Sequence, residues 1–383
     1  MHRLQLHYTL SKDNSTAGVR NALIDLLQAV SSQGSISGAA RALGLSYRHV
    51  WGELKRWEVE LDHPLVVWEK GQAAHLTPFG NKLMWAERQA QARFAPQIEA
   101  LRAEFERTFS AAFDDDTHVV TIYASHDEAL SQLREFAFQN ASKKQKRLHL
   151  DIRFMGSVDA IRALNEGRCV LAGFHTLENL LAVNGKTSTE TLDTDLSKQT
   201  YKPLLKPGLH KIIGFARRTQ GLMLAPGNPL GIHSLADVQK SKARFANRAL
   251  GTGTRVVLDA LMQHAQLSQK DITGFDTHIE PSHAAVAQAV QSGQADVGLG
   301  IEAAAVQSGL TFVPLVAERY HLVCLKSALD QEGIVALLDV LNTKQWQDKI
   351  SHIAGYSAVQ SGQILSMRKV LPWWTYRKII VRF

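Results

Sequence analysis

Cysteine is nearly absent: Cys169 and Cys324 are the only two in 383 residues. Two are too few for a disulfide scaffold, and they lack the close spacing of a metal-binding pair. No uncharged apolar run approaches the roughly 20 residues that span a bilayer. Met1 to Leu10 hold no apolar stretch followed by a small-residue cleavage site, so no secretory signal is expected there. With 45% hydrophobic and 21% charged residues, the chain is not wholly disordered, collagen-like or of low complexity. These absences lead to the expectation of a cytoplasmic globular protein with no membrane partner. Its length allows two or three domains of about 100–200 residues each. The net charge of +7, from 43 basic and 36 acidic residues, fits a polyanionic partner without identifying one.

Texture changes along the chain. To about Phe113 the pattern is helical, with Trp51, Trp57, Trp68 and Trp85 but few strand signals. From about Thr117 to Ile353, short β-rich runs alternate with helical ones. The acidic triplet Asp114-Asp115-Asp116 reads as a solvated hinge, and Asn184 to Tyr201 as a polar surface loop. The expected division is 1–80 for a winged head, 81–113 for a linker helix, 117–361 for an α/β unit and 362–383 for a basic, aromatic tail.

In the head, Val19, Ala22, Leu23, Leu26, Leu27 and Val30 form a helical stripe that Gly34 ends. Ser35 caps a short helix through Ala39, Ala40 and Leu43, Gly44 suits a positive-φ turn, and Ser46 caps a helix from Tyr47 to about Leu61. This order is that of a helix-turn-helix, with small Ala39 and Ala40 letting the helices approach. Leu65 to Trp68 and Ala74 to Leu76 can pair around Lys70-Gly71-Gln72 as a wing. On the last helix Tyr47, Arg48, His49, Lys55 and Arg56 lie on polar faces, while Val50, Leu54 and Trp57 face the core. A helical core without a DNA role fits the same pattern, but basic groups near a helix N-terminus suit a major groove.

The run from Gly34 to Gly80 resembles the N-terminal domain of molybdate-responsive ModE-type regulators, a winged helix-turn-helix close to that of LysR-type regulators. The matching residues are Gly34-Ser35-Ile36-Ser37, Ala39-Ala40, Gly44-Leu45-Ser46-Tyr47, Trp51 and Leu76-Thr77-Pro78-Phe79-Gly80. The resemblance implies double-stranded DNA as partner. Ser46, Tyr47, Arg48 and His49 would then stand at the groove, and Lys55 and Arg56 at phosphates. Beyond Gly80, Leu83, Ala86, Ala90, Phe94, Ile98, Leu101, Phe105 and Phe109 repeat at helical steps. Such a stripe packs on its own domain or, in a dimer or tetramer, between subunits.

The second zone repeats strand, polar loop and helix, the signature of a parallel α/β sheet with loops gathered at the strand C-termini. Strands are expected at Val119–Ala124, Leu148–Met155, Cys169–Phe174, Ile212–Phe215, Leu222–Ala225, Arg244–Ala246, Ala295–Gly300 and His321–Lys326. The loop Asn247 to Arg255 carries Thr252, Gly253 and Thr254 between Arg248 and Arg255. It is either a Gly-rich turn or an anion cradle of backbone N–H groups, hydroxyls and cations. Ser125, His126, Gly156, Ser157, His175, Ser282 and His283 fall at the same predicted edge. Ser125-His126-Asp127 is not a catalytic relay, because nucleophile, base and orienter must face one another rather than follow in sequence.

This zone resembles the periplasmic-binding-protein-like domain of cytoplasmic regulators, including those attached to molybdenum-cofactor proteins. Gly221 to Pro229, Asn247 to Arg255 and Gly293 to Glu302 carry the likeness. It implies two α/β lobes with a ligand in the cleft. The expected fold is therefore mixed: an all-α winged head, a long linker helix, then a two-lobed α/β unit. The expected protein is a non-enzymatic regulator without metal or cofactor, sensing a small anion. Molybdate, tungstate, formate, another small carboxylate or a molybdopterin-like ligand all suit, and a molybdenum-enzyme operon such as that of formate dehydrogenase is the implied target. The rivals are a binding or uptake protein whose head serves only assembly, and an enzyme using the histidine-lined cleft. The tail, with Arg368, Lys369, Arg377, Lys378 and Arg382 around Pro372-Trp373-Trp374, packs on the α/β unit or touches DNA or an anionic surface.

Overall fold

The computed structural model describes residues 21–68, 73–113, 117–139, 147–180, 195–371 and 373–374. Contacts divide the chain into two units, Met1–Ala95 and Pro96–Phe383.

In the first unit Ser35 and Ser46 cap where the sequence puts them, Asn21 is a cap the sequence reading did not name, and Val19, the expected start of the first stripe, lies outside the described residues. Asn21 caps α1 (Ala22–Gln33), Ser35 caps α2 (Ile36–Leu43) and Ser46 caps α3 (Tyr47–Leu61), each side-chain oxygen accepting a backbone N–H. Gly34 and Gly44 end the first two helices with φ of 61° and 66°, which a side chain would resist. Leu27, Val30, Ala39, Val50, Leu54 and Leu65 close the core, and the buried Ala39 and Ala40 give the close helix approach expected of them. β1 (Val66–Val67) pairs antiparallel with β2 (His75–Leu76) as the wing. Its expected tip, Lys70-Gly71-Gln72, lies outside the described residues, as do the Asp114–Asp116 hinge and Arg377, Lys378 and Arg382 of the tail.

α4 (Pro78–Phe113) is one helix of 36 residues with Pro96 inside it. Proline has no N–H to donate, so the helical ladder is interrupted there, and the division between the units falls at the same place.

The second unit is built on β3 (Thr117–Ala124), α5 (Glu128–Gln139), β4 (Arg147–Phe154), α6 (Ser157–Asn165), β5 (Leu171–Leu180), α7 (Asp195–Tyr201), β6 (His210–Leu224), α8 (Leu235–Ser241), β7 (Phe245–Arg248) and α9 (Gly253–His264). It continues with β8 (Ile279–Glu280), α10 (His283–Gln291), β9 (Val297–Ile301), α11 (Glu302–Gln307), β10 (Thr311–Leu325), α12 (Glu332–Asn342), α13 (Lys344–Ser351), β11 (Tyr356–Ser357), β12 (Ile364–Leu365) and α14 (Met367–Val370). The strand order is β4-β3-β5-β10-β6-β9-β7-β8. β3 runs parallel to β4 and β5, and β7 parallel to β8 and β9. Two 15-residue strands, β6 and β10, pair antiparallel and join these parallel halves. This is the expected α/β unit of two halves, with strand C-termini facing a shared edge.

Four expectations need correction. The strands read as Ile212–Phe215 and Leu222–Ala225 are one continuous β6. Its interior polar residues looked like a break, but Arg218 and Gln220 are buried partners of other side chains rather than loop residues. Asn247 and Arg248 belong to β7 and not to the following loop. The strand read as His321–Lys326 is the end of a longer β10, which already holds Glu318, paired inside the sheet. The predicted loop Asn184–Tyr201 ends in helix α7, held by Tyr201, which is 1% exposed in an apolar cluster with Phe174 and Leu205. Residues 181–194 lie outside the described chain. The described part of the tail packs on the α/β unit: Met367 and Leu371 are buried, and Trp373 and Trp374 lean on the same cluster. No helix among the described residues is long and apolar enough to cross a membrane.

Candidate ligand cleft and nucleic-acid-reading head

The two halves meet through residues too small to hold them apart. A Cβ on Gly156, just after β4, would come within 2.5 Å of the Gly251 carbonyl oxygen, and one on Gly253 within 2.7 Å of the His175 ring. Beside this contact lies a half-open cleft of about 240 Å³. Ser125, His126, Gly156, Arg248 and Thr252 line its polar side, while Phe154, Met155, Pro281 and, from α4, Pro96 and Ala100 give it an apolar wall.

Several helices start at this edge, and their caps differ. Thr252 caps α9 and Ser282 caps α10, each accepting a backbone N–H, from Arg255 and Ala285 respectively. Asp127 accepts the N–H groups of Ala129 and Leu130 at the start of α5. α6 begins at Gly156 with no side-chain cap hydrogen bond, and the Asp159 carboxylate in its first turn accepts from Arg162 at 3.2 Å instead.

Behind the cleft is a buried ionic cluster that the sequence reading did not assemble. Arg218 pairs with both Asp127 and Glu318. Tyr356 Oη donates to Asp127 at 2.7 Å, and Gln220 Nε2 donates to Glu318 at 2.8 Å. Burial opposes the Arg218 charge, yet Glu318, Tyr356 and Asp127 together hold its pKa well above the ordinary value. Alternation supplied a signal: Arg218 and Gln220 are polar positions two apart in an apolar strand, placed on one face.

Arg248 is the contrasting case. It is 3% exposed, it makes no ion pair among the described residues, and its Nε and Nη1 have no hydrogen-bond partner. Burial, and then the Arg218 charge, push its pKa down to about 10. At neutral pH it remains a cation, inside the protein and beside the cleft. The histidines around it are kept neutral. Burial first, then neighbouring cations including Arg248 and Arg218, hold His175 and His283 well below the usual histidine range. His175 Nε2 and His283 Nδ1 have no partner, and Thr254 Oγ1 lies 3.4 Å from His283 Nε2. Ser125 and Ser157 bring their hydroxyls within 3.5 Å of each other.

Of the residues expected at a ligand, Ser125, His126, Gly156, Arg248 and Thr252 reach the cleft surface. Ser157, His175, Gly253, Thr254, Ser282 and His283 are packed close behind it. Arg255 is turned away: its Nε is 3.2 Å from Asp259, its Nη2 3.6 Å from Asp276, and its guanidinium covers the Phe275 ring. The α4 wall was not foreseen. Glu99, one turn along from Pro96, accepts from Ser131 Oγ at 2.9 Å and lies 3.7 Å from His126 Nε2.

On the head, Tyr47, Arg48, His49, Lys55 and Arg56 are exposed, and Val50 and Leu54 are buried, as their spacing predicts. The Ser46 hydroxyl is engaged as a cap, accepting from His49 N–H at 3.1 Å. Lys55 pairs with Glu58, which also accepts the Leu65 and Val66 N–H groups, and Arg56 pairs with Glu53, both at 2.6 Å.

Two family descriptions match this chain. Residues 138–342, more than half the chain, match the PBP superfamily domain, and residues 22–81 match the bacterial regulatory helix-turn-helix protein, lysR family. The chain belongs to the PBP superfamily and carries a LysR-type helix-turn-helix. The head match is to the lysR family; the narrower ModE likeness remains an expectation. The chain is similar to the uncharacterized protein YvgK of Bacillus subtilis (strain 168), 27% identical over 213 residues, or 56% of this chain and 64% of that one. It is also similar to an uncharacterized protein encoded in the 5′ region of a ferredoxin 2Fe-2S gene of Clostridium pasteurianum, 33% identical over 112 residues, 29% of this chain and 98% of that one. Among solved structures, an OxyR mutant of Corynebacterium glutamicum is 16% identical with a TM-score of 0.42, covering 83% of this chain and 90% of its own.

Proposed function

We propose that this LysR-type PBP protein is a DNA-binding transcriptional regulator whose cleft takes a small organic carboxylate. The observation that carries the ligand class is Arg248, a residue of the cleft lining whose guanidinium is buried with two unpartnered nitrogens. A buried cation without a counter-ion is costly unless something else brings the charge. A carboxylate fits the guanidinium fork, and the open N-terminus of α6 adds donors. The site's 240 Å³ is below the roughly 300–1,000 Å³ of drug-sized pockets but far above one water's share of about 30 Å³. Formate or a tetrahedral oxyanion would occupy only the Arg248 end. An apolar body would fill the space against Phe154, Met155 and Pro281. Molybdate and tungstate are the second reading, favoured by the hydroxyls of Ser125 and Thr252 at the same end. A molybdenum-enzyme operon as target rests on the resemblance alone.

The cleft wall supplies a route to the head. A ligand would touch Pro96 and Ala100, which belong to the same helix that starts at Pro78. Binding that favours one position of α4 over another would bias the DNA-reading unit, which is what allostery requires. Phe94, Leu101 and Phe105 are exposed along α4, supporting a dimer or higher homo-oligomer built on that helix.

A thermal-shift series on the full-length protein tests the ligand class, with formate, butyrate, benzoate, molybdate, tungstate and sulfate. A carboxylate with an apolar body at 100 times its Kd should add about 2.7 kcal/mol of stability. That gain should vanish in Arg248→Met. A shift with molybdate alone would favour the second reading, and no shift with any anion would remove the sensor reading.

A further inference from the structure

Glycine inside a helix loses stability relative to alanine, so its presence calls for a reason. In the described chain each glycine but one has an internal reason, either a positive φ or a neighbour that a Cβ would strike. Gly34 and Gly44 are left-handed helix ends; a Cβ on Gly38 would meet Ser35 Oγ at 2.8 Å, and one on Gly80 would meet the Leu65 carbonyl oxygen. Gly52 is the exception. It sits mid-way along α3 without a positive φ, and a Cβ there would meet nothing within 4 Å. The fold leaves room for a side chain at a position where alanine would strengthen the helix.

Its place on α3 shows what lies on its open side. Val50 and Leu54, two residues either way, point into the core, so Gly52 is on the opposite face. Arg48 is one turn earlier and Arg56 one turn later on the same row, and Trp51 and Lys55 are on the adjacent one. Tyr47 and Trp51 are 45% and 39% exposed, two large aromatics that the head does not cover. The face is thus cationic at its ends, aromatic along one side and bare of side chain at its centre.

We propose that Gly52 is the point of closest approach between α3 and the base edges of the DNA major groove, and that its missing side chain is a determinant of operator specificity. The inference rests on the head being a DNA reader. A helix seated in a groove is held off by its longest central side chains, and a glycine at the centre lets the helix axis sink by about the depth of a methyl. Arg48 and Trp51 then reach base edges and thymine methyl groups that a displaced helix would miss. An alanine at this position would be tolerated by the fold but would lift the helix off its site.

The test uses full-length protein, a duplex selected by the wild type from a random pool, and an unrelated duplex of equal length, at one fixed salt concentration. Gly52→Ala should raise the melting temperature, because it improves the helix and fills open space. The same substitution should weaken binding to the selected duplex by about tenfold or more, the size of one lost base contact, and leave the unrelated duplex unaffected. Unchanged or tighter binding to the selected duplex would overturn the proposal. So would an equal loss on both duplexes, which would place the close approach at phosphates, and so would a lower melting temperature, which would give Gly52 a role within the fold. A wild type that selects no duplex at all would instead remove the DNA-reading head itself, and this inference with it.

Discussion

Arg218 and Arg248 are 1% and 3% exposed, on β6 and β7, yet only the first has its charge answered within the fold. Arg218 lies between Asp127 and Glu318, so its neighbourhood is complete before any ligand arrives. Arg248 has unpartnered nitrogens and a pKa pushed down to about 10. The difference separates a residue that ties strands together from one whose charge the described residues leave unanswered. The two are also coupled, because the fixed charge of Arg218 contributes to the depression at Arg248.

The same truncation should therefore cost the two arginines very different amounts. Arg218→Met leaves Asp127 and Glu318 buried without a counter-ion and should cost about 3–5 kcal/mol in urea unfolding of the ligand-free protein. Arg248→Met removes an unanswered buried charge and should lie within about 1 kcal/mol of the parent, or above it. Equal losses in the two variants would mean that Arg248 is a structural residue with a partner supplied by the fold.

Acid sharpens the same contrast through the histidines. His175 and His283 are held well below the usual range by burial and by the flanking arginines, and His321 is pushed down to about 3 by burial and then by Arg319. The folded protein keeps these rings neutral, while the unfolded chain takes up protons below about pH 6.5. Stability should therefore be insensitive to these groups above pH 6.5 and fall as the pH drops towards 3. The slope is on the order of 1.4 kcal/mol per pH unit for each ring not yet protonated in the folded state. In Arg248→Met the loss should be smaller, because His175 and His283 lose a repelling neighbour and protonate sooner in the folded protein. An identical pH profile in the two proteins would show that Arg248 does not set their titration.

The head was legible almost residue by residue, because caps, αL glycines and a 3.6-residue apolar stripe are local signals. Ser35, Gly44, Ser46, Val50 and Leu54 all act where their neighbours in sequence predict. The α/β unit was legible in its alternation of strands and helices, but its joining strands were not. β6 and β10 carry Arg218, Gln220 and Glu318 inside apolar runs, and a polar residue in a strand reads as an interruption until its partner is known. Glu318 and Arg218 are 100 residues apart, as are no two residues that a local pattern can pair. The candidate cleft was read in part for the same reason. The Gly/Thr loop read as either a turn or an anion cradle, with Arg248 and Arg255 equivalent in sequence, and only Asp259, Asp276 and Phe275 distinguish them.

The smallest expected effect concerns residues that hold the cleft against residues that meet what enters it. Thr252 lines the cleft, but its oxygen already accepts from Arg255 N–H at 3.3 Å and its hydroxyl donates to the Ala249 carbonyl at 2.8 Å. Both bonds are made without a ligand, so its principal work is to begin α9. Thr252→Ala should cost about 1 kcal/mol, the ordinary worth of a helix cap. It should lower the melting temperature equally with and without a stabilising carboxylate, leaving the ligand's own increment intact. Arg248→Met should do the reverse, sparing the ligand-free melting temperature and abolishing the increment. If Thr252→Ala also abolishes the increment, the cap is itself a ligand contact and the cleft draws on its hydroxyl as well as on the Arg248 charge.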